Sequence, residues 1–304
     1  MKIGTCRYRE QQLVYIDTGN GLLMPALAND QTLKTDHPAW TDLITLIEQS
    51  GALLPLLEAV LSNPDSVPAA RCAYDDPGLV RLAPIPHPRK NVICLGLNYL
   101  DHAEETAGHV GKMAKKPEYP IVFTKATSSV TGPDSVIPWD TDSCSQLDWE
   151  AELGVVIGKG GRKISREQAL EHVFGYTVIN DLSARDLQFN HKQFFLGKSI
   201  DGGCPMGPDL ITADEIADPQ NLGIRCRVNG VSKQASNTRH MIFSIAEMIE
   251  HISRGMTLEP GDIIATGTPS GVGFVRQPPE FLRPGDVVEC RSGGCWLVTQ
   301  PDWE

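Results

Sequence analysis

Apolar residues in this chain fall mostly into short runs, and helical spacing is confined to a few segments. Residues 11–27 contain two apolar runs separated by Gly-Asn-Gly, which predicts two strands joined by a tight turn. Apolar residues at helical spacing then predict helices over residues 39–49 and 52–62. The proline-rich stretch at 82–91 shows neither the strand pattern nor the helical spacing of apolar residues and is typical of a linker. We therefore expect a small N-terminal domain over residues 1–85.

Strand patterns dominate the rest of the chain, which is expected to form a second domain over residues 86–304. Short apolar runs predict strands in NVICLGL, YPIVFT, GVVIG and FGYTVIN. An Asn-Gly pair within residues 225–234 predicts a hairpin, and two Pro-Gly-Asp turns each lead into a β-branched strand. Helices interrupt these strands without regular alternation, so the pattern favours an α+β, β-rich fold with a mixed, largely antiparallel sheet.

Two segments carry the capping-box signature, in which a serine is followed three residues later by glutamine or glutamate. The pairs are Ser165 with Gln168 and Ser244 with Glu247. Each pair predicts a helix whose first turn is closed by the serine side chain.

The composition of the 304 residues is that of a globular protein, with 41% apolar and 21% charged residues. A formal net charge of −11 implies no phosphate-neutralising surface, so nucleic acid is not an expected partner. The N-terminal residues are polar and no run of about 18 apolar residues occurs, so we expect a cytoplasmic protein that does not enter a membrane. Eight cysteines without a Cys-x-x-Cys pair predict free, mostly buried thiols.

Several common catalytic signatures are missing from the sequence. Gly197-Lys198-Ser199 is similar to the end of a phosphate-binding P-loop, but Lys192 stands where that motif requires a glycine. There is no Gly-x-Gly-x-x-Gly after a strand, no Gly-x-Ser-x-Gly elbow and no His-Glu-x-x-His. The remaining candidates form an oxygen-rich site.

Carboxylates occupy alternate positions immediately before an apolar run. In an extended chain Asp148, Glu150 and Glu152 share one face, and their mutual repulsion must be offset by a cation or by hydrogen-bond donors. A solvated sheet face is the alternative. Asp181 ends another apolar run and is a candidate third oxygen ligand, although it is also suited to cap the helix predicted after it.

A histidine and a glutamate three residues apart follow the NVICLGL strand. On a helix His102 and Glu105 face each other, and the carboxylate then fixes the imidazole tautomer and raises its basicity. Such a pair is suited to activate water. A surface ion pair is the alternative interpretation.

Six segments, in order over residues 82–290, resemble the fumarylacetoacetate hydrolase family. They are GLNYLDHAEE, DWEAELGVVIGK, GYTVINDLSARDLQ, GKSIDGGCPMGP, VNGVSKQASNTRHMIFSIAEMI and LEPGDIIATGTPSGVG. The resemblance implies a mixed β-roll catalytic domain after a small N-terminal α/β domain, and a homodimer. It also implies that Glu150, Glu152 and Asp181 bind Mg²⁺ or Mn²⁺, for which carboxylate oxygens are suitable ligands.

The resemblance further implies how the site handles a small 2-oxo acid substrate. His102 and Glu105 would activate water, and Lys198 with Gln188 would stabilise the developing oxyanion. The residues implied to bind or organise the substrate are Lys125, Arg185, Gln188, Gly267 and Thr268. Arg185 is equally suited to an internal ion pair, and the glycine to a turn.

The implied reaction is hydrolysis of a C–C bond in a 2,4-dioxo acid of the acylpyruvate, fumarylpyruvate or fumarylacetoacetate type. Isomerisation, tautomerisation or decarboxylation of a 2-oxo or 2-hydroxydienoic dicarboxylic acid is the alternative, because the same metal-enolate chemistry serves all these reactions. A metal-binding homologue without turnover is a third possibility.

Three segments are less typical of the family or have no assigned role. The ending ECRSGGCWLVTQPDWE replaces the usual acidic, Ile-Gly-containing strand, so the contacts of that edge are open. Residues 200–204 are unusually rich in glycine and affect the expected pocket floor. Residues 107–120 are polar with two glycines, and both a lid over the site and a plain exposed loop fit them.

Overall fold

Strands outnumber helices in the computed structural model, which describes residues 1–28, 33–34, 36–63, 67–109, 117–139 and 142–303. The predicted α+β, β-rich fold is therefore confirmed. Within these ranges, no helix has the length and apolar character needed to cross a membrane.

Twenty strands are found in the described residues. The first ten are β1 (Lys2–Tyr8), β2 (Gln11–Asp17), β3 (Leu22–Leu23), β4 (Arg71–Cys72), β5 (Leu79–Arg81), β6 (Val92–Gly96), β7 (Ile121–Lys125), β8 (Val130–Thr131), β9 (Val136–Trp139) and β10 (Leu147–Asp148). The others are β11 (Ala151–Ile157), β12 (Val173–Asn180), β13 (Ser183–Ala184), β14 (Cys204–Pro205), β15 (Leu210–Thr212), β16 (Gly223–Val228), β17 (Val231–Asn237), β18 (Ile263–Ala265), β19 (Val288–Ser292) and β20 (Cys295–Trp303).

Six α-helices lie between these strands in the same ranges. They are α1 (Leu43–Glu48), α2 (Ser50–Ser62), α3 (Leu100–His109), α4 (Arg185–Asn190), α5 (Phe195–Lys198) and α6 (Ile245–Ser253). Short 3-10 helices occur at Pro25–Leu27, Pro38–Trp40, Pro68–Ala70, Thr127–Ser129, Arg166–His172, Ala213–Glu215, Pro219–Asn221 and Thr238–His240. The helices predicted over 39–49 and 52–62 correspond to α1 and α2, and both predictions are confirmed.

An eleven-stranded mixed sheet forms the centre of the molecule. Its order is β4-β3-β2-β1-β15-β12-β11-β18-β6-β7, with β5 paired to β1. Neighbours are antiparallel except β18 and β6, which run parallel. Because β1 pairs with β15, strands from both predicted domains share this sheet. The domain boundary near residue 85 stays a prediction.

Strand β11 lies in the middle of this sheet and is buried at all seven positions. Val156 belongs to an apolar cluster with Leu43 and Leu46 of α1. Val155 belongs to another cluster, with Met248 and Ile249 of α6. Because both faces of the strand are covered, the sequence is continuously apolar after Glu152 instead of alternating.

The second sheet has five strands in the order β17-β16-β19-β20-β9. Its β16–β17 hairpin turns at Asn229 and Gly230, which have φ of 52° and 75°. Both values are positive, as a two-residue type I′ turn requires, so the Asn-Gly prediction is confirmed. The atypical C-terminal segment forms β20, which pairs with β19 and β9.

One of the two predicted capping boxes is wrong. At Ser244 the side chain accepts from Glu247 N, and the Glu247 side chain accepts from Ser244 N, as the box requires. Ser165 makes no such bond, and the segment after it is a 3-10 helix that runs directly into β12. The eight cysteines are free and buried, as predicted.

Candidate functional site

Three carboxylates converge where the central strands of the main sheet end. Glu152 lies on β11 and Asp181 directly follows β12, and the pairing of Ala151 with Asn180 sets these strand ends side by side. Glu150 lies between β10 and β11, and its carbonyl accepts the Asp181 amide at 2.8 Å. One oxygen of each carboxylate lies within 4.8 Å of the others. The structure thus brings together the three predicted metal ligands.

The two alternatives considered for these carboxylates are wrong. All three alternating acidic residues are at most 5% exposed, so they do not form a solvated sheet face. The helix after Asp181 begins at Arg185 with Ala184 as its N-cap, so Asp181 does not cap it. Its carboxylate is available for other contacts.

Two lysines and an arginine neutralise part of the negative charge. Lys198 Nζ donates to Glu150 Oε2 at 2.8 Å and to Asp181 Oδ2 at 2.7 Å. Lys125 Nζ donates to Asp181 Oδ1 at 2.6 Å, and Arg185 Nη2 lies 2.8 Å from Glu150 Oε1. All three cations are buried, so water screens these contacts only weakly.

These contacts leave two of the carboxylates in different electrostatic states. Burial raises the pKa of Glu150, but Lys198 and Arg185 lower it more strongly, to about 2. Burial, together with the neighbouring Asp181 and Glu150, holds the pKa of Glu152 well above its ordinary value. Glu152 is therefore the carboxylate whose charge is least compensated by protein cations.

The chemistry of the cluster fits a divalent cation. Glu152 Oε1 is buried and has no hydrogen-bond partner among the described residues, whereas Oε2 accepts Gly267 N at 2.7 Å. A buried carboxylate oxygen left unpaired is costly unless a cation or donor reaches it. Mg²⁺ and Mn²⁺ prefer hard oxygen ligands of this kind. The residues that would hold such an ion are Glu150, Glu152 and Asp181.

A histidine and a glutamate on α3 form the second chemical group. His102 Nδ1 lies 2.8 Å from Glu105 Oε1, and His102 is 6% exposed, so the pair is largely buried and the surface ion-pair interpretation is wrong. Gly271 N donates to both Glu105 oxygens, at 3.1 and 2.9 Å. A carboxylate at Nδ1 favours the tautomer with its proton there, which leaves Nε2 free to accept one.

The loop after β18 holds α3 in place. In addition to the bonds from Gly271 N to Glu105, Ser270 Oγ donates to Asp101 Oδ2 at 2.8 Å. Gly271 has a φ of +103°, and a Cβ at this position would lie 2.2 Å from Lys233 O. The turn therefore requires glycine.

Asp148 ties the same loop to the carboxylate cluster. Its fully buried carboxylate accepts Gly273 N and Phe274 N at 2.7 and 3.1 Å. It also accepts Arg185 Nε at 2.9 Å and lies 2.8 Å from Nη2. Arg185 Nη1 then donates to Gln188 Oε1 at 2.9 Å. A chain of contacts thus joins the histidine–glutamate pair to the carboxylates.

One member of each chemical group, Glu150 and His102, lines a pocket of about 120 Å³, whereas Glu152, Asp181 and Glu105 are not among its described lining residues. Its polar lining residues include His102, Glu150, Arg185, Gln188 and Lys198. Most of its remaining wall is apolar or aromatic and comes from Leu95, Leu97, Phe123, Phe189, Phe194 and Phe274. Sites for drug-sized ligands are commonly about 300–1,000 Å³, so this pocket suits a small substrate.

A larger groove of about 860 Å³ lies elsewhere, beside β2 and the β19–β20 turn. Asp17, Tyr74 and Gly293 are among its lining residues. The buried acidic cluster and the histidine–glutamate pair are not part of this groove within the described residues. We therefore place the functional site at the smaller pocket.

Two residues predicted to bind substrate have protein partners. Lys125 is not among the described residues that line the pocket, and besides its carboxylate partner it donates to Leu182 O at 3.0 Å. Thr268 does line the pocket, but its hydroxyl donates to Ala151 O at 3.0 Å and accepts from Gln234 Nε2 at 2.8 Å. Their roles toward a substrate stay predictions.

Asn98 is a positioning residue that the sequence reasoning left without a role. Its Nδ2 donates to Thr266 O at 2.8 Å and to Phe243 O at 3.2 Å, which joins the end of β6 to the end of β18. Gly267 packs against it, since a Cβ at that glycine would lie 2.8 Å from Asn98 Cβ. Its sequence signal was a polar residue directly after an apolar strand.

The aromatic wall and the anchoring role of Asp148 were also missed. Asp148 stood out only through its spacing from Glu150, because its partners lie far away in the chain. The four phenylalanines that line the pocket carry no motif of their own. Of the segment 107–120, for which both a lid and an exposed loop were considered, residues 110–116 lie outside the described residues.

Comparison with known proteins identifies relatives of the whole site region. Residues 91–299 match the family described as Fumarylacetoacetate (FAA) hydrolase C-terminal. Oxaloacetate tautomerase YisK of Bacillus subtilis is 56% identical over 207 residues, which are 68% of this chain and 67% of that protein. The mitochondrial oxaloacetate tautomerase of Xenopus laevis is 50% identical over 222 residues, which are 72% and 67% of the two chains.

Solved structures share the fold over the full chain. A fumarylacetoacetate hydrolase from Exiguobacterium antarcticum is 37% identical, with a TM-score of 0.80 and 100% coverage of both chains. A maleylpyruvate hydrolase from Sphingobium sp. SYK-6, in complex with manganese(II) ion and pyruvate, is 26% identical with a TM-score of 0.77. That alignment covers 100% of this chain and 99% of the hydrolase.

Proposed function

Because this chain belongs to the fumarylacetoacetate hydrolase family of enzymes, we propose that it is a divalent-metal-dependent tautomerase that interconverts the keto and enol forms of a short 2-oxo acid of the oxaloacetate class. The observation that carries the proposal is the pocket lined by both His102 and Glu150, which belongs to the carboxylate cluster. The similarity to two oxaloacetate tautomerases supports the same reaction.

Hydrolysis of a C–C bond, the first prediction from the sequence, is the second candidate. It is favoured by the similarity to maleylpyruvate hydrolase and fumarylacetoacetate hydrolase structures, at 26% and 37% identity. The two tautomerases have higher identities, 56% and 50%, over 68% and 72% of this chain. These findings favour tautomerisation, which the sequence left as the alternative.

The carboxylate cluster would supply the binding site for the metal, Mg²⁺ or Mn²⁺. Held by Glu150, Glu152 and Asp181, a divalent cation would withdraw electrons from the 2-oxo and carboxylate oxygens of the substrate and so acidify its C3 hydrogens. Lys125 and Lys198 keep the carboxylates in place through the bonds described above.

His102 is the residue proposed to move the proton. Its Nε2 accepts a proton from C3 as the electrons of the C3–H bond form the C2–C3 double bond, and the imidazolium returns that proton to the C2 oxygen. The reverse sequence converts enol to keto. Glu105 keeps Nδ1 protonated and stabilises the transient imidazolium. The reaction consumes neither water nor a redox partner.

The proposal is tested by following the loss of enol-oxaloacetate absorbance with Mg²⁺ or Mn²⁺ present. We expect wild type to exceed the rate of the metal alone, and His102→Asn to lose about 100- to 10,000-fold. His191→Asn is a matched control, since His191 is exposed and bonds Leu187 O. Wild-type protein that adds nothing to the metal-only rate would contradict the proposal.

Product analysis separates the competing reactions. Pyruvate formed from oxaloacetate would indicate decarboxylation, and a carboxylic acid released from an acylpyruvate would indicate C–C hydrolysis. We expect keto–enol exchange to be faster than either. If hydrolysis of an acylpyruvate is the faster reaction, the second candidate replaces the first.

A further inference from the structure

Thr106 presents an unexplained hydroxyl at the site. Its Oγ1 is shielded from solvent and has no hydrogen-bond partner in the part of the chain that the structure describes. Leaving such a group unpaired is costly, so native proteins rarely do so without a ligand, an ordered water or a functional reason. No motif marks this position in the sequence.

The hydroxyl of Thr106 lies in the same pocket as His102 and Glu150. This threonine lies on α3 four residues after His102, so the two side chains share one face of the helix. Both residues line the 120 Å³ pocket, which Glu150 and Lys198 also line. A substrate that reaches from the carboxylate cluster to His102 therefore lies within the same small space as Thr106.

The charges around the pocket restrict what this hydroxyl can bind. Lys198 and Arg185 are already paired with carboxylates of the cluster. The nearby wall is apolar, formed in part by Leu95, Leu97 and Phe123. Any polar group at the far end of the substrate must then be met by neutral hydrogen-bonding groups.

We propose that Thr106 is a specificity-determining residue whose hydroxyl donates a hydrogen bond to the second carboxylate of a short dicarboxylic 2-oxo acid. The inference rests on the proposed tautomerase function and narrows its substrate class. Acids of the same length that end in a methyl group leave the hydroxyl unpaired, and the site discriminates against them for that reason.

The expected size of the effect follows from the type of bond. A hydrogen bond to a charged acceptor, lost in a buried site, corresponds to about a 10- to 100-fold change in kcat/KM. Thr106→Val removes the hydroxyl and keeps the shape of the side chain, whereas Thr106→Ser keeps the hydroxyl. The pair separates hydrogen bonding from packing.

The test compares oxaloacetate with 2-oxobutanoate, which has a methyl group in place of the second carboxylate. Enolisation of both acids is measured as exchange of their C3 hydrogens for deuterium, followed by NMR. The buffer contains Mg²⁺ and no Mn²⁺, and the rate of exchange without enzyme is subtracted. We expect Thr106→Val to lose activity on oxaloacetate by about 10-fold or more, with 2-oxobutanoate nearly unchanged, and Thr106→Ser to restore the preference. Mg²⁺ affinity, measured by calorimetry, is expected to be the same in all three proteins.

Two results would overturn the inference. The hydroxyl does not bind the second carboxylate if Thr106→Val lowers the rates for both acids equally, or if it lowers neither rate. Should the valine variant fail to fold, the comparison of Thr106→Ser with Thr106→Ala gives the same decision. Failure of wild type to exchange either acid would instead overturn the proposed function, and the inference with it.

Discussion

Asp148 shows how a single buried residue can serve a site without touching the substrate. Its carboxylate accepts backbone amides from the loop that holds Glu105 and side-chain nitrogens from Arg185, which contacts Glu150. These four contacts fix the loop and Arg185 relative to each other. Outer residues that orient metal ligands typically affect affinity or activity by about 10- to 100-fold.

Asp148→Asn is therefore expected to lower both divalent-metal affinity and turnover by about 10- to 100-fold. The amide keeps the shape of the side chain but faces Arg185 and the loop amides with one acceptor oxygen fewer. Metal titration and steady-state kinetics on the same preparation measure both effects. Asp186→Asn serves as control, because Asp186 bonds Ser145 outside the pocket. Wild-type values for Asp148→Asn would show that the anchoring bonds are dispensable.

The sequence identified individual residues where one local pattern was sufficient. The spacing of Glu150 and Glu152, and the position of Asp181 after an apolar run, marked these residues as candidate ligands, and the family resemblance then implied that they bind one metal ion together. The partners of Lys125 and Asp148 were not predictable in this way. They depend on how segments more than thirty residues apart pack together, which no local period encodes.

At the level of elements, apolar runs predicted strands such as β6, β11 and β12, because apolar clusters cover both faces of the central strands. Short strands such as β8, β13 and β14 contain no such run and were not predicted. The failure at Ser165 has a local cause. Gln168 N donates to Ser165 O, an i to i+3 bond that starts a 3-10 helix, and the segment must join β12 only a few residues later. The segment therefore forms no α-helical first turn, and the Ser165 side chain has no N-terminal amide of an α-helix to accept from.

The two serines provide a matched test of helix capping. Ser244→Ala removes a cap that closes the first turn of α6, and we expect it to lower the free energy of unfolding by about 1 kcal/mol. Ser165→Ala removes no cap and is expected to be nearly neutral. Urea unfolding of both variants, followed by circular dichroism, measures the difference. Equal destabilisation by the two changes would contradict the assignment.

At the scale of the whole molecule, the homodimer implied by the family resemblance stays a prediction. A surface beside the pocket is suited to it: β7 lies at the end of the main sheet with Ile121 and Val122 exposed, and Phe195 and Leu196 of the adjoining α5 are exposed as well. Exposed apolar side chains on a sheet edge favour association with another chain.

We expect sedimentation velocity to give a dimer for wild type and a monomer for Val122→Lys. The charge would be buried without a partner if β7 lies in the interface. Val231→Lys is the control, because Val231 is exposed on β17 of the second sheet. If Val122→Lys is still a dimer, the interface lies elsewhere. If the wild-type protein is a monomer, the predicted homodimer is wrong.

We propose that Glu150 and Glu152, at the start of β11, and Asp181, at the end of β12, bind one divalent cation. Calorimetric titration of Mn²⁺ into chelator-treated protein tests it most directly. We expect one site per chain, with affinity reduced by at least about 10-fold in Glu152→Gln, because this change removes a carboxylate whose unpaired oxygen is available to the ion. No heat of binding in wild type, or the same affinity in Glu152→Gln, would contradict it.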